Sequence, residues 1–171
     1  MDSAGMRSDT QVIHVGEDLA LPWDLKNWFE APVLRQWVLD EIETLNWSNP
    51  EVIEYLSQRP GFQPKAALCL LTYAYATGIF ESEEIDRKSH LDPEYVVIVG
   101  ADWKGEPRQL RRFRRECRGL LKWALVQVFK QALRARLGEF MLPAGLKRRL
   151  VDAAVMRLDL AHQMDRSSDG L

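Results

Sequence analysis

Apolar side chains recur at helical spacing through most of the chain. From Ala31 to Leu45, the residues Val33, Leu34, Trp37, Val38, Ile42 and Leu45 fall mostly at three- and four-residue intervals. Pro32 stands in the first turn, where proline is tolerated, so a helix is expected there. Ser48, Asn49, Pro50 and Glu51 form a second helix start that runs to about Gln58, before Arg59, Pro60 and Gly61 break the chain. The segment opened by Pro64, KAALCLLTYAYATGIF, is apolar on nearly every side and reaches its stop signal at Gly78. Such a helix belongs in the middle of a fold. Glu81 to Lys88 reads as a short amphipathic helix, and Asp92 with Pro93 begins the next element.

The run Tyr95, Val96, Val97, Ile98, Val99 has strand propensity. A lone strand without a partner is unstable, so the reading is helix. Gly100 to Pro107 forms a loop. A long helix is then expected from Pro107 to Leu137, with Gly119 as a candidate kink. A last helix is expected from Pro143 to about Met164. The fold class is all-α: a single compact multi-helix domain over residues 21–166, with a long basic helix and a C-terminal helix. A flexible N-terminal arm at 1–20 and a frayed tail at 167–171 flank it. No internal repeat is present.

The long helix carries the unusual feature. Between Lys104 and Lys122 stand Lys104, Arg108, Arg111, Arg112, Arg114, Arg115, Arg118 and Lys122 against only Glu106 and Glu116, in a chain of formal net charge −2. On a helical wheel Arg108, Arg111, Arg112, Arg115, Arg118 and Lys122 share one side, and Leu110, Phe113, Cys117, Leu121, Ala124 and Val128 share the other. Residues 104–150 carry fourteen basic side chains against three acidic ones, whereas residues 1–60 carry four against eleven. A sequence pI of about 6.0 therefore conceals a strongly basic segment. Either the acidic N-terminal part folds against the basic helix and neutralises it, or the basic face stays open to a polyanion. Arginine suits phosphate because its guanidinium is a planar fork of donors that keeps its charge. A solvated helix face is the plainer reading of the same pattern.

Composition narrows the remaining chemistry. At 171 residues, 46% hydrophobic and 28% charged, the chain matches an ordinary globular protein. No apolar run reaches the roughly 18–20 residues of a membrane span, and the start lacks the basic flank and apolar run of a secretory signal. A cytoplasmic location is expected. Cys69 and Cys117 lie among apolar neighbours and read as buried free thiols, not as a disulfide or metal pair. His14, His90 and His162 have no ligand spacing around them, so neither a metal nor a cofactor is expected. Glu81, Glu83, Glu84 and Asp86 are adjacent carboxylates of the kind that usually form a solvated face. No serine–histidine–aspartate arrangement, phosphate loop or zinc spacing points to catalysis. Trp23, Trp28, Trp37 and Trp47 crowd the acidic N-terminal part, where core packing is a better account than base stacking.

An ordered set of motifs between about Gly61 and Leu121 carries a family resemblance. Pro64 opens a Leu- and Tyr-rich helix ending in Tyr75-x-x-Gly78, and Ser82 and Ile85 follow on the next helix. Val99-Gly100 makes a turn, and Pro107 precedes Arg112-Phe113-Arg114. This order resembles the N-terminal domain of InsH-type insertion-sequence transposases, in whose full-length members a DDE nuclease domain follows. The resemblance implies a helical domain that recognises element ends or assists assembly, and it places Arg112 and Arg114 in the motif. Two departures stand out. Glu81, Glu83 and Glu84 replace the family's polar, serine- or arginine-rich helix start. Only about fifty helical residues follow Gly119, whereas a DDE nuclease needs three carboxylates on a mixed sheet to hold two metal ions.

The expectation is a non-catalytic DNA-binding protein, a stand-alone relative acting as regulator or accessory factor. Arg108, Arg111, Arg112, Arg114, Arg115, Arg118 and Lys122 are its candidate phosphate contacts. The alternative is a protein-interaction module that forms a homodimer or binds and inhibits a full-length transposase.

Overall fold

The computed structural model describes residues 21–47, 50, 63–138 and 145–169. Among them are a 3-10 turn, Leu25–Asn27, and seven α-helices: α1 Ala31–Glu43, α2 Pro64–Ala76, α3 Ser82–Leu91, α4 Pro93–Val99, α5 Pro107–Glu116, α6 Arg118–Leu137 and α7 Leu146–Asp169. The protein is all-α. The expected N-terminal arm and, apart from residue 50, the helix expected over 48–58 lie outside the described residues.

Local signals explain most helix starts. Proline occupies the first turn of α1, α2, α4 and α5, where its missing N–H costs no helical bond and its fixed φ is already helical. Asp92 caps α4 by accepting from the Glu94 amide at 3.0 Å. Residues 95–99 are thus helical, as their lack of a strand partner requires. The basic helix departs from expectation. It is divided at Cys117 (φ −114°, ψ 32°) into α5 and α6, and Gly119 lies within the first turn of α6. The C-terminal helix runs past Met164 to Asp169, so the helix includes most of the segment read as a frayed tail.

α2 is the axis of the bundle. Every residue from Ala67 to Ala76 is buried, and the other six helices all pack against it. Full burial of each large apolar side chain there contributes roughly 1.5–3 kcal/mol. Gly78 (φ 82°) ends α2 in a left-handed turn that brings the backbone against the Trp23 carbonyl. In the loop before α5, the Trp103 ring lies where a Cβ on Gly105 would stand, 2.0 Å from its nearest ring atom. That close approach buries the indole, which donates to Ser89 Oγ at 3.2 Å.

The N-terminal segment is fixed by a buried cation. Arg157 of α7 is 3% exposed and donates to the carbonyls of Tyr75 (3.2 Å), Ala153 (3.3 Å) and Pro22 (2.8 Å). Its guanidinium lies 4.8 Å from the ring centroids of both Trp23 and Phe129. Burial pushes its pKa down to about 10, so it remains charged at neutral pH. Three carbonyl dipoles and two aromatic faces offset the loss of hydration that an isolated buried cation would suffer. Trp28 is fully buried, Trp37 and Trp47 are partly buried against the core, and Trp23 is half exposed with its edge on Phe80. The tryptophans pack as structural groups.

Burial raises four acidic groups on and beside α2. The Cys69 thiol is pushed up to about 12, and the Tyr73, Tyr75 and Tyr95 phenols are raised from 10.0, each mainly by desolvation. A folded-state pKa above the unfolded value contributes stability that is present below the unfolded value and lost as pH rises toward the folded one. Urea unfolding at pH 8 and pH 10.5 should therefore show a lower midpoint at the higher pH, with the slope unchanged.

Candidate nucleic-acid interface

α5 and α6 divide their side chains as the wheel requires. Leu110, Phe113, Cys117, Leu121, Ala124 and Val128 are all buried. Arg108, Arg112, Arg115 and Lys122 are exposed, while Arg111 and Arg118 are partly covered. The bundle core therefore fixes which way the cations face.

Their partners differ. Arg111 donates to Glu83 of α3 at 2.6 Å, with its own side chain only 15% exposed. Arg112 pairs with Glu116 one turn on at 3.3 Å, and Arg118 reaches Asp159 of α7 at 2.8 Å. Among the described residues, Arg108, Arg115 and Lys122 form neither an ion pair nor a side-chain hydrogen bond. Exposed pairs such as Arg112–Glu116 and Arg118–Asp159 contribute about 0–1 kcal/mol, so a phosphate can exchange with their carboxylates. Arg111 is held between two helices and is the cation of the stripe least able to leave its partner. The neutralising carboxylates come from α3, α5 and α7, whereas the N-terminal acidic groups Asp24 and Glu43 pair with Lys26 and Lys65.

Arg114 requires a correction. Expected among the phosphate contacts through the Arg-Phe-Arg motif, it lies inside the bundle with 3% side-chain exposure, and its Nη2 donates to Asp165 Oδ2 at 2.7 Å. Asp165, itself 2% exposed, also accepts from the Ser82 amide at 3.0 Å and the Ser82 hydroxyl at 2.9 Å. A second Arg114 nitrogen lies 3.3 Å from His162 Nδ1. Arg114 falls off the solvent side of the wheel, and its position there is a better guide than its neighbours in sequence. It holds the cationic helix in place.

Serine, histidine and aspartate thus meet in one cluster, but not in the order that activates a nucleophile. The Ser82 hydroxyl donates directly to Asp165, and His162 faces Arg114. In a catalytic triad histidine stands between serine and aspartate. Ser82 is also fully buried. The acidic residues of α3 are dispersed. Glu83 pairs with Arg111, Glu84 with Arg87, and Asp86 faces His90. Burial is the main cause of the raised Asp86 pKa. Among the described residues, no group of three histidine, cysteine or carboxylate side chains could hold a metal ion. A cavity of about 350 Å³ is lined by Leu39, Pro64, Cys69, Ile98 and other residues; among the described residues Lys65 is the charged group in its wall, and it pairs with Glu43. With its thiol pushed up to about 12, Cys69 is no nucleophile at neutral pH.

Asp165 and Arg157 carried no signal in the sequence, and Ser82 stood out only as a position of the resemblance, because the partners that give them their roles are 51 to 135 residues away. No helix among the described residues is long and apolar enough to cross a membrane. No family model, no curated protein and no solved structure matches this chain.

Replacing Asp165 with alanine should leave Arg114 buried without a counter-charge and the first α3 amide without an acceptor, destabilising the fold by about 3–5 kcal/mol. The paired variant Arg114→Met/Asp165→Leu should recover part of that loss, because it removes the uncompensated charge while the Ser82 donors still lack an acceptor. Urea denaturation of both variants measures the difference, and equal losses would sink this account of the cluster.

Proposed function

We propose that this chain is a non-catalytic, DNA-binding domain that holds the phosphate backbone with Arg108, Arg112, Arg115, Arg118 and Lys122. One observation carries the reading: Arg108, Arg115 and Lys122 stand exposed on α5 and α6 without a described partner, on the side opposite the core. Arg112 and Arg118 join them through surface pairs weak enough to be displaced. Arg111 contributes less because Glu83 holds it, and Arg114 belongs to the interior. Such contacts position a protein on DNA and carry no base sequence. The ordered resemblance to transposase N-terminal domains agrees with a regulator or accessory factor of element DNA.

A second reading, a protein-interaction module, is favoured by the α3–α4 corner. Leu91, Val96 and Val97 are there 72%, 40% and 56% exposed. Self-association through this corner predicts a dimer in sedimentation equilibrium that Leu91→Lys/Val97→Lys converts to monomer. A wild-type monomer at all loading concentrations would remove the homodimer form of that reading.

The DNA reading is tested by titrating labelled duplex at 50 and 200 mM salt. Five phosphate contacts give a slope of log K on log salt near −4.5, a loss of roughly 500-fold over that interval. Arg108→Glu/Arg115→Glu/Lys122→Glu should abolish binding while leaving the unfolding midpoint nearly unchanged. Arg111 is unsuitable for this test, because a glutamate there would face Glu83 and disturb the fold. Absence of wild-type binding at 50 mM salt would end the reading.

A further inference from the structure

Gly119 occupies the first turn of α6, between Arg118 and Leu120 and one turn before Lys122. Nothing among the described residues calls for glycine at this position. Its φ is not among the positive values of the described glycines, Gly78, Gly100, Gly138 and Gly145. A Cβ built on it would meet no atom of the described residues within 4 Å beyond its chain neighbours and the helix's own nearby backbone. Elsewhere the described glycines show what such a requirement looks like: Gly78 turns left-handed beneath a carbonyl, and Gly105 makes room for an indole. Glycine is a weaker helix former than alanine, so Gly119 forgoes some helix stability with no return from the described residues.

What the missing side chain does provide is a bare stretch of backbone facing outward. Gly119 is exposed, and exposed Arg115 and Lys122 flank it on either side in sequence. Neither of these cations has an ion-pair partner among the described residues. We infer that Gly119 is the point of closest approach of the DNA backbone. Without a Cβ the phosphodiester chain can descend to the helix surface between the two cations. A side chain there would hold it off by the width of that group and lengthen both charge contacts. The proposal rests on the DNA-binding reading and names the residue that sets the depth of contact within it.

Gly119→Ala and Gly119→Gln are uncharged substitutions at an exposed helical position, so each should fold at least as well as wild type. Thermal unfolding should show an unchanged or raised midpoint for both, with alanine the higher. Duplex affinity at 50 mM salt should fall several-fold for alanine and by an order of magnitude or more for glutamine. Lower affinity at equal or greater stability is a result that a purely structural role for Gly119 does not produce. Wild-type affinity in both variants, with wild type itself binding, would overturn the inference and leave the DNA reading standing. A wild-type protein that does not bind duplex at 50 mM salt would remove the reading and this inference together.

Discussion

A carboxylate removed from water is costly unless donors fill its lone pairs and an opposite charge stands beside it. Asp165 of α7 meets both conditions with groups from two other helices, the Ser82 amide and hydroxyl at the start of α3 and the Arg114 guanidinium near the end of α5. Each helix supplies what another lacks. α3 has no side-chain cap of its own at its N-terminus, and the carboxylate supplies the missing acceptor. α5 has an arginine turned inward, and the carboxylate supplies its counter-charge. This cluster and the buried Leu110 and Phe113 side chains together hold α5, and with it the direction of the outward cations on that helix.

The surface above it treats charge differently. The buried pair is desolvated and worth keeping only as a complete set, whereas the outer pairs are hydrated and individually weak. Arginines of one short helix therefore divide into three physical kinds. Arg114 is structural, Arg111 bridges to α3, and Arg108, Arg112 and Arg115 face solvent. The same amino acid repeated within eight residues serves as anchor, bridge and exposed charge, according to its angle around the helix axis.

Angle is also what made much of this legible. The apolar sides of α5 and α6 follow from period alone, and so does the burial of α2, which is apolar all round. The prolines marked four helix starts because their chemistry is local. Residues 95–99 were ambiguous in propensity and were decided by the absence of any strand to pair with. The division at Cys117 was not visible, since nothing in its neighbours distinguishes it from Gly119, the more obvious breaker. The Asp165 cluster and the Arg157 cation were beyond reach for another reason: each joins groups that only the finished bundle brings together, and a charged residue in an amphipathic helix looks solvated until its partner is known. For the same reason the resemblance misled at Arg114, because a motif records which residues are neighbours and not which way they point.

The Arg157 guanidinium, lying between Trp23 and Phe129 and donating to the Pro22 carbonyl, bears on how the chain is made as well as on how it is held. It joins residues 135 positions apart. Synthesis delivers the N-terminal residues first, so the segment around Trp23 and the Tyr75 carbonyl at the end of α2 leave the ribosome well before Arg157 exists to join them. Five helices made before α7 can already cover α2, whereas the Pro22 and Tyr75 carbonyls wait for Arg157, so the N-terminal segment is tied to the bundle only after the rest of its core has formed.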